Sequence, residues 1–105
     1  NTAEVEYVLL GLPEIEEVAV VGMGAAGDVG EEVVAAVVPE SGATIDPEHL
    51  RAYAHQRLTG YKVPRRVVVM DDLPRSQIGK ILRRSVRDRI VEMDERSGGR
   101  ADQGT

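Results

Sequence analysis

Apolar residues along this chain fall into two kinds of pattern, and each predicts an element. Val5, Val8, Leu9 and Leu12 recur at helical spacing behind Thr2 as a cap, and Gly11 with Pro13 closes the segment, so residues 1–12 predict a first helix. Residues 17–23 (EVAVVGM) and 32–38 (EVVAAVV) are β-branched runs bounded by glycines or Pro39, too short for buried helices and well suited to strands. They predict an antiparallel hairpin around a glycine-rich loop. Asp46 followed by Pro47 predicts a helix start, with the carboxylate as N-cap and the proline in the first turn, and Leu50, Tyr53, Ala54, Arg57 and Leu58 continue that second helix to Gly60. Residues 65–70 (RRVVVM) predict a third strand, and residues 71–79 a loop feeding a last helix. From Ile78 onward, Ile78, Ile81, Leu82, Val86, Ile90 and Met93 make a helical stripe, with Lys80, Arg83, Arg84 and Arg87 on the opposite face. The order helix, strand, strand, helix, strand, helix predicts an α+β domain, a small three-stranded sheet with packed helices.

With 105 residues the chain suits one domain with a single core of two layers, and is too small for a deep active site with its own substrate domain. Residues 97–105 (SGGRADQGT) have nothing to bury and predict a disordered tail, leaving 1–96 as the domain. No apolar run is long enough to span a bilayer and no signal peptide opens the chain. The absence of cysteine removes disulfides and thiolate metal sites and fits a reducing cytoplasm, which is the expected location. Only three aromatics occur, Tyr7, Tyr53 and Tyr61, too few for a base-stacking platform.

Charge is divided along the chain. Residues 1–50 hold eleven Asp/Glu and no Lys/Arg, whereas residues 51–105 hold all thirteen Lys/Arg and seven Asp/Glu. Such an asymmetry predicts that the second half faces an anion or an acidic partner, with plain solvation of two helices as the alternative. It also keeps open a different class of function, a basic-faced binding module for nucleic acid or an acidic protein.

Gly22, Gly24 and Gly27 spell G-x-G-x-x-G after a predicted strand, the spacing of dinucleotide-binding loops. The context fails, because Gly30 stands where a helix must begin and the β-branched run up to Pro39 follows. His49 and His55 lack companions at ligand spacing and read as exposed helix residues. Tyr61 reads as packing.

The most informative stretch is residues 74–84 (PRSQIGKILRR). Pro74 ends the preceding segment, Ser76 offers a hydroxyl to backbone N–H groups, and Gly79 removes a side chain where backbone must come close to a ligand or neighbour. Lys80 then sits at the mouth of a basic helix.

Taken with AEVEYVLLGLPEIEEVAVVG, GEEVVAAVV and GYKVPRRVVVMDDLP, this lysine motif resembles the C-terminal subdomain of the AMP-forming adenylating enzymes, the superfamily of acyl-CoA synthetases, peptide-synthetase adenylation domains and beetle luciferases. GYKVP followed by LPRSQIGKILRR is most similar to fatty-acyl and related acyl-CoA ligases. The resemblance implies a mobile lid that supplies Lys80 as the catalytic cation when a carboxylic acid is activated by ATP to acyl-AMP, before CoA takes the acyl group as a thioester. It implies ATP, CoA and Mg2+ for a full-length ligase, none of them expected on the isolated chain, which is expected to be inactive alone. The partner it implies is a large N-terminal domain carrying the acid-binding parts. Ser76, Gly79, Lys62 and Arg57 are the candidate cofactor-binding residues, the last two for CoA phosphates, with surface solvation as the alternative. Arg83, Arg84 and Arg87 are expected to fasten the helix or meet the large domain. Pro74, Gly79 and Lys80 also resemble the acetylation motif read by bacterial protein acetyltransferases, which makes such an enzyme a further candidate partner at Lys80. The loop after Gly22 reads MGAAGD where many relatives have proline and aspartate, and Ser76 stands where threonine is common.

Overall fold

The structure, a computed structural model, describes residues 2–24 and 31–104. Its elements are α1 (Thr2–Leu9), β1 (Ile15–Gly24), β2 (Glu31–Pro39), α2 (Pro47–Arg57), a single 3-10 turn (Gly60–Lys62), β3 (Arg66–Val69) and α3 (Arg83–Gly104). This is the expected α+β order. β1 pairs antiparallel with β2, Val20 lying opposite Ala35, and β3 pairs parallel with β2, Val34 lying opposite Arg66. The sheet order β1-β2-β3 makes β2 the central strand. A parallel pair needs a crossover, and α2 with the 3-10 turn supplies it. That helix starts as its sequence dictates: the Asp46 carboxylate accepts from the Glu48 N–H at 3.0 Å, and Pro47 occupies the first turn.

Helices cover both faces of the sheet, giving three layers where the sequence suggested two. Val18, Val20, Ala35 and Val37 face α1 and α2, packing with Val5, Leu9, Leu50 and Ala54. Their alternate neighbours Ala19, Val21, Val34 and Ala36 face α3, packing with Val86 and Ile90. Burial on two faces removes the requirement for alternation, which is why both strands read as unbroken apolar runs. Gly11, leaving α1, stands against the Tyr53 hydroxyl on α2, where any Cβ would collide.

Gly22 and Gly24 lie within β1, directly followed in the sheet by β2 rather than by a helix, so the dinucleotide-loop spacing is a coincidence of the strand; Gly27 and the rest of the MGAAGD loop from Ala25 lie outside the described residues. α3 differs at its start from its sequence pattern: it begins at Arg83 and not near Ile78, and it runs to Gly104.

Ile90 is fully buried between α3 and the sheet, whereas its neighbour Val91 is 43% exposed. Ile90→Ala is expected to lower the unfolding free energy by about 3 kcal/mol and Val91→Ala by about 0.5 kcal/mol or less, read by urea denaturation of both variants.

Candidate functional site

Lys80 sits on a small β-hairpin, not on a helix. Leu82 N–H donates to the Pro74 carbonyl at 3.0 Å, Ser76 N–H donates to the Lys80 carbonyl at 2.8 Å, and Arg75 faces Ile81 in an antiparallel bridge between them. Gly79 N–H closes the loop on the Ser76 carbonyl at 2.9 Å. Three residues, 77–79, therefore form the turn, and Gly79 takes the left-handed conformation, φ +87°, that such a turn requires at its last position. This corrects one expectation: the helical spacing of Ile78, Ile81 and Leu82 does not place them on one helix face, and Ile78 is 88% exposed at the hairpin tip. No protein atom lies within 4 Å of where a Gly79 Cβ would stand, so within the fold it is the left-handed backbone that calls for glycine.

Ser76, Gly79 and Lys80 come together as the motif suggested, and the Ser76 hydroxyl serves a backbone N–H as expected. Its Oγ accepts from the Lys80 N–H at 3.2 Å, while Arg75 Nη1 donates to the Gly79 carbonyl at 3.2 Å. Both polar ends of the Gly79–Lys80 peptide are thereby held. Arg75 is itself anchored, its Nη2 lying 2.5 Å from Glu17 Oε2 on β1. Beyond the hairpin, Arg83 opens α3 and places its guanidinium 2.7 Å from Glu6 Oε2 on α1, and the same oxygen accepts from the Val20 N–H at 2.8 Å. The hairpin is thus tied at both roots to β1 and to the helix lying along it. Lys80 is exposed, and among the described residues its ammonium makes no ion pair or hydrogen bond.

Arg57 and Lys62 are occupied elsewhere. Arg57 stacks 3.7 Å from the centre of the Tyr53 ring and donates to the Tyr53 carbonyl, and Lys62 pairs with Glu4 at 2.7 Å. No hydrogen bond or ion pair joins either of them to the lysine hairpin. The hydrogen bond from Lys62 holds the Glu4 carboxyl below the usual carboxylate value, and the same bond raises the Lys62 ammonium. Tyr61 is 80% exposed and does not pack as expected. His55 is an exposed residue of α2, as expected; His49, also exposed, has an acidic neighbour the sequence did not reveal, Glu14 at 3.8 Å. Arg83 fastens α3, and no ion pair among the described residues involves Arg84 or Arg87.

Arg75, Glu17 and Glu6 were not legible as site residues. Arg75 lay inside the motif without a role, and the two glutamates were hidden among eleven acids, their only trace being the charge asymmetry. Part of that asymmetry is internal: Lys62, Arg75 and Arg83 of the second half each pair with a glutamate of the first. Among the described residues no group of three or more His, Asp or Glu able to hold a metal ion comes together. No helix of the described residues is long and apolar enough to cross a membrane.

Two outcomes follow from this geometry. Gly79→Ala is expected to cost about 1–2 kcal/mol and to loosen the hairpin, whereas Gly60→Ala, with open space and no left-handed backbone, stays within about 0.5 kcal/mol; chemical denaturation separates them. For Glu4, a lowered folded-state value means that its contribution is present above the unfolded carboxylate value and lost as pH falls through the lowered one. For Lys62, raised, the contribution holds below the ordinary lysine value and is lost as pH rises through the raised one. An NMR titration of the Glu4 carboxyl is expected to move to higher pH in Lys62→Met.

The sequence matches the family described as AMP-binding enzyme C-terminal domain over residues 4–80, a span that includes β1, β2, β3 and the lysine hairpin up to Lys80. It is 43% identical over 89 residues to an indoleacetate–CoA ligase of Aromatoleum aromaticum and 44% identical over 85 residues to a long-chain-fatty-acid–CoA ligase of Escherichia coli. These alignments cover 85% and 81% of this chain but 17% and 15% of the relatives, so the chain spans about one sixth of their length. Among solved structures, the amide bond synthetase McbA from Marinactinospora thermotolerans superposes with a TM-score of 0.76 at 42% identity, covering 83% of this chain and 18% of that one. The chain belongs to the AMP-binding enzyme C-terminal domain family, the module that these CoA ligases carry.

Proposed function

We propose that this chain is the mobile lid of an ATP-dependent, AMP-forming acid–thiol ligase, and that Lys80 is its catalytic cation in the adenylation step. The observation that carries this reading is the state of the Lys80 ammonium: exposed, free of any ion pair among the described residues, and presented on a hairpin whose own backbone is pinned. Lys62, by contrast, has its ammonium paired with Glu4.

Adenylation brings a substrate carboxylate against the α-phosphorus of ATP. A carboxylate oxygen forms the new P–O bond, the bond to pyrophosphate breaks, and acyl-AMP results. Both reactants are anions, so the barrier contains their repulsion and the charge that builds on the phosphoryl oxygens. An ammonium brought beside those oxygens stabilises the transition state more than the separated reactants, which is the condition for a rate gain. In the second step a thiol sulfur attacks the acyl carbon and AMP leaves. The thiol must reach the acyl carbon, and a lid that withdraws Lys80 leaves room for it. Rigid-body motion of the whole module suits this task, because the hairpin is bonded to β1 and to α1 through Arg75 and Arg83 and moves with them.

The acid belongs to the carboxylic acids in general. The two relatives named above act, by their names, on indoleacetate and on long-chain fatty acids at nearly equal identity to this chain, and the acid-binding part is assigned to a large partner domain. Arg57 and Lys62 remain candidates for CoA phosphates only if their bonds to Tyr53 and Glu4 yield to the ligand.

In the ligase that carries this module, Lys80→Ala is expected to lower acyl-AMP formation, followed by pyrophosphate release, by about a hundredfold or more, while thioester formation from supplied acyl-AMP changes little. Equal loss in both half-reactions overturns the assignment.

A further inference from the structure

The reach of a lysine side chain is set by where its Cα–Cβ bond points, and that direction follows from the peptide plane preceding it. In this hairpin the plane is held from two sides. The Gly79 carbonyl accepts from Arg75 Nη1 at 3.2 Å, and the Lys80 N–H donates to Ser76 Oγ at 3.2 Å. Ser76 is fixed by the loop it closes, its own N–H on the Lys80 carbonyl and its carbonyl on the Gly79 N–H. Arg75 is fixed from outside the hairpin by Glu17, whose side chain is 30% exposed on the edge strand. A continuous chain of polar contacts therefore runs from β1, through Glu17 and Arg75, to the peptide that aims Lys80.

We propose that Glu17, Arg75 and Ser76 are positioning residues for the adenylation step: they set the direction from which Lys80 meets the reacting phosphate, and they do so without touching substrate. The proposal rests on the catalytic assignment of Lys80. Arginine suits the post because its planar fork presents separate N–H groups to two acceptors, Nη2 to Glu17 and Nη1 to Gly79. A lysine at position 75 carries one nitrogen on a flexible stem and does not hold both acceptors in a fixed geometry. Serine at 76 works through its hydroxyl, so threonine serves equally and alanine does not. Fixing the peptide in advance removes from the chemical step the cost of ordering Lys80, and small misplacements of a catalytic group cost one to two powers of ten in rate.

The test measures both half-reactions in the ligase that carries this module, with Lys80→Ala as reference. Arg75→Lys, Glu17→Gln and Ser76→Ala are each expected to lower kcat for acyl-AMP formation about tenfold, with KM for ATP within about twofold and thioester formation from supplied acyl-AMP unchanged. Ser76→Thr is expected to restore the rate. In the 105-residue chain itself, amide hydrogen exchange at Lys80 is expected to quicken in Ser76→Ala and Arg75→Lys while the melting temperature holds within a few degrees. If Lys80→Ala abolishes adenylation but these variants leave it at the native rate, the positioning role is wrong and the catalytic assignment stands. Parallel loss of both half-reactions together with the melting temperature makes the three residues structural and also overturns the proposal. If Lys80→Ala itself leaves adenylation intact, the catalytic assignment fails and takes the positioning role with it.

Discussion

One carboxylate oxygen joins the architecture to the candidate chemistry. Glu6 Oε2 accepts the N–H of Val20, a fully buried residue of the edge strand β1, and pairs with Arg83 at the start of α3. A buried N–H left without a partner costs about 1–3 kcal/mol, and an edge strand has no neighbour to supply one. Glu6 meets that need and at the same time fixes where α3 begins. Because α3 begins at Arg83, the nine residues before it are free to fold back as a hairpin, and Lys80 faces solvent instead of lying along a helix. The position of Lys80 is in this sense a consequence of how the edge of the sheet is satisfied.

The elements with strong local signals were legible in the sequence. Asp46 and Pro47 start α2 as their chemistry requires, and the β-branched runs around Val20 and Ala35 form the paired strands. Local signals misled at the lysine motif. Ile78, Ile81 and Leu82 recur at helical intervals, but Gly79 in the left-handed conformation breaks a helix, and Pro74 upstream offers its carbonyl to Leu82 across the hairpin. Periodicity over five residues cannot outweigh a turn glycine, because a single helical turn is poorly stable on its own whereas a closed hairpin loop satisfies its polar groups at once. The ties that hold the hairpin lay out of reach for another reason. Arg83 and Glu6 are separated by 77 positions, and no pattern along the chain announces such a pair.

The division of charge acquires its meaning from those ties. An acidic first half and a basic second half suggested an external anionic partner. In the fold, Glu4, Glu6 and Glu17 of the first half receive Lys62, Arg83 and Arg75 of the second, so part of the asymmetry closes the module on itself. Exposed ion pairs contribute little stability each, about 0–1 kcal/mol, and their value here is geometric. This takes three cations out of the basic surface that suggested a nucleic-acid partner, and leaves Lys80, Arg84 and Arg87 without an ion pair among the described residues.

The two kinds of basic side chain divide the labour accordingly. Arg75 and Arg83, with planar forks and several donors, hold fixed acceptors at hairpin roots where rigidity is wanted. Lys80, a compact charge on a four-carbon stem, stands between them without a partner among the described residues. A guanidinium at position 80 would present a broad, weakly hydrated fork suited to a lasting bidentate clasp on phosphate, and a lasting clasp opposes release. Under the proposed role, a cation offered to one transition state and removed before the next is better carried as a single ammonium. The hairpin then meets stability of the support and ease of withdrawal with different residues.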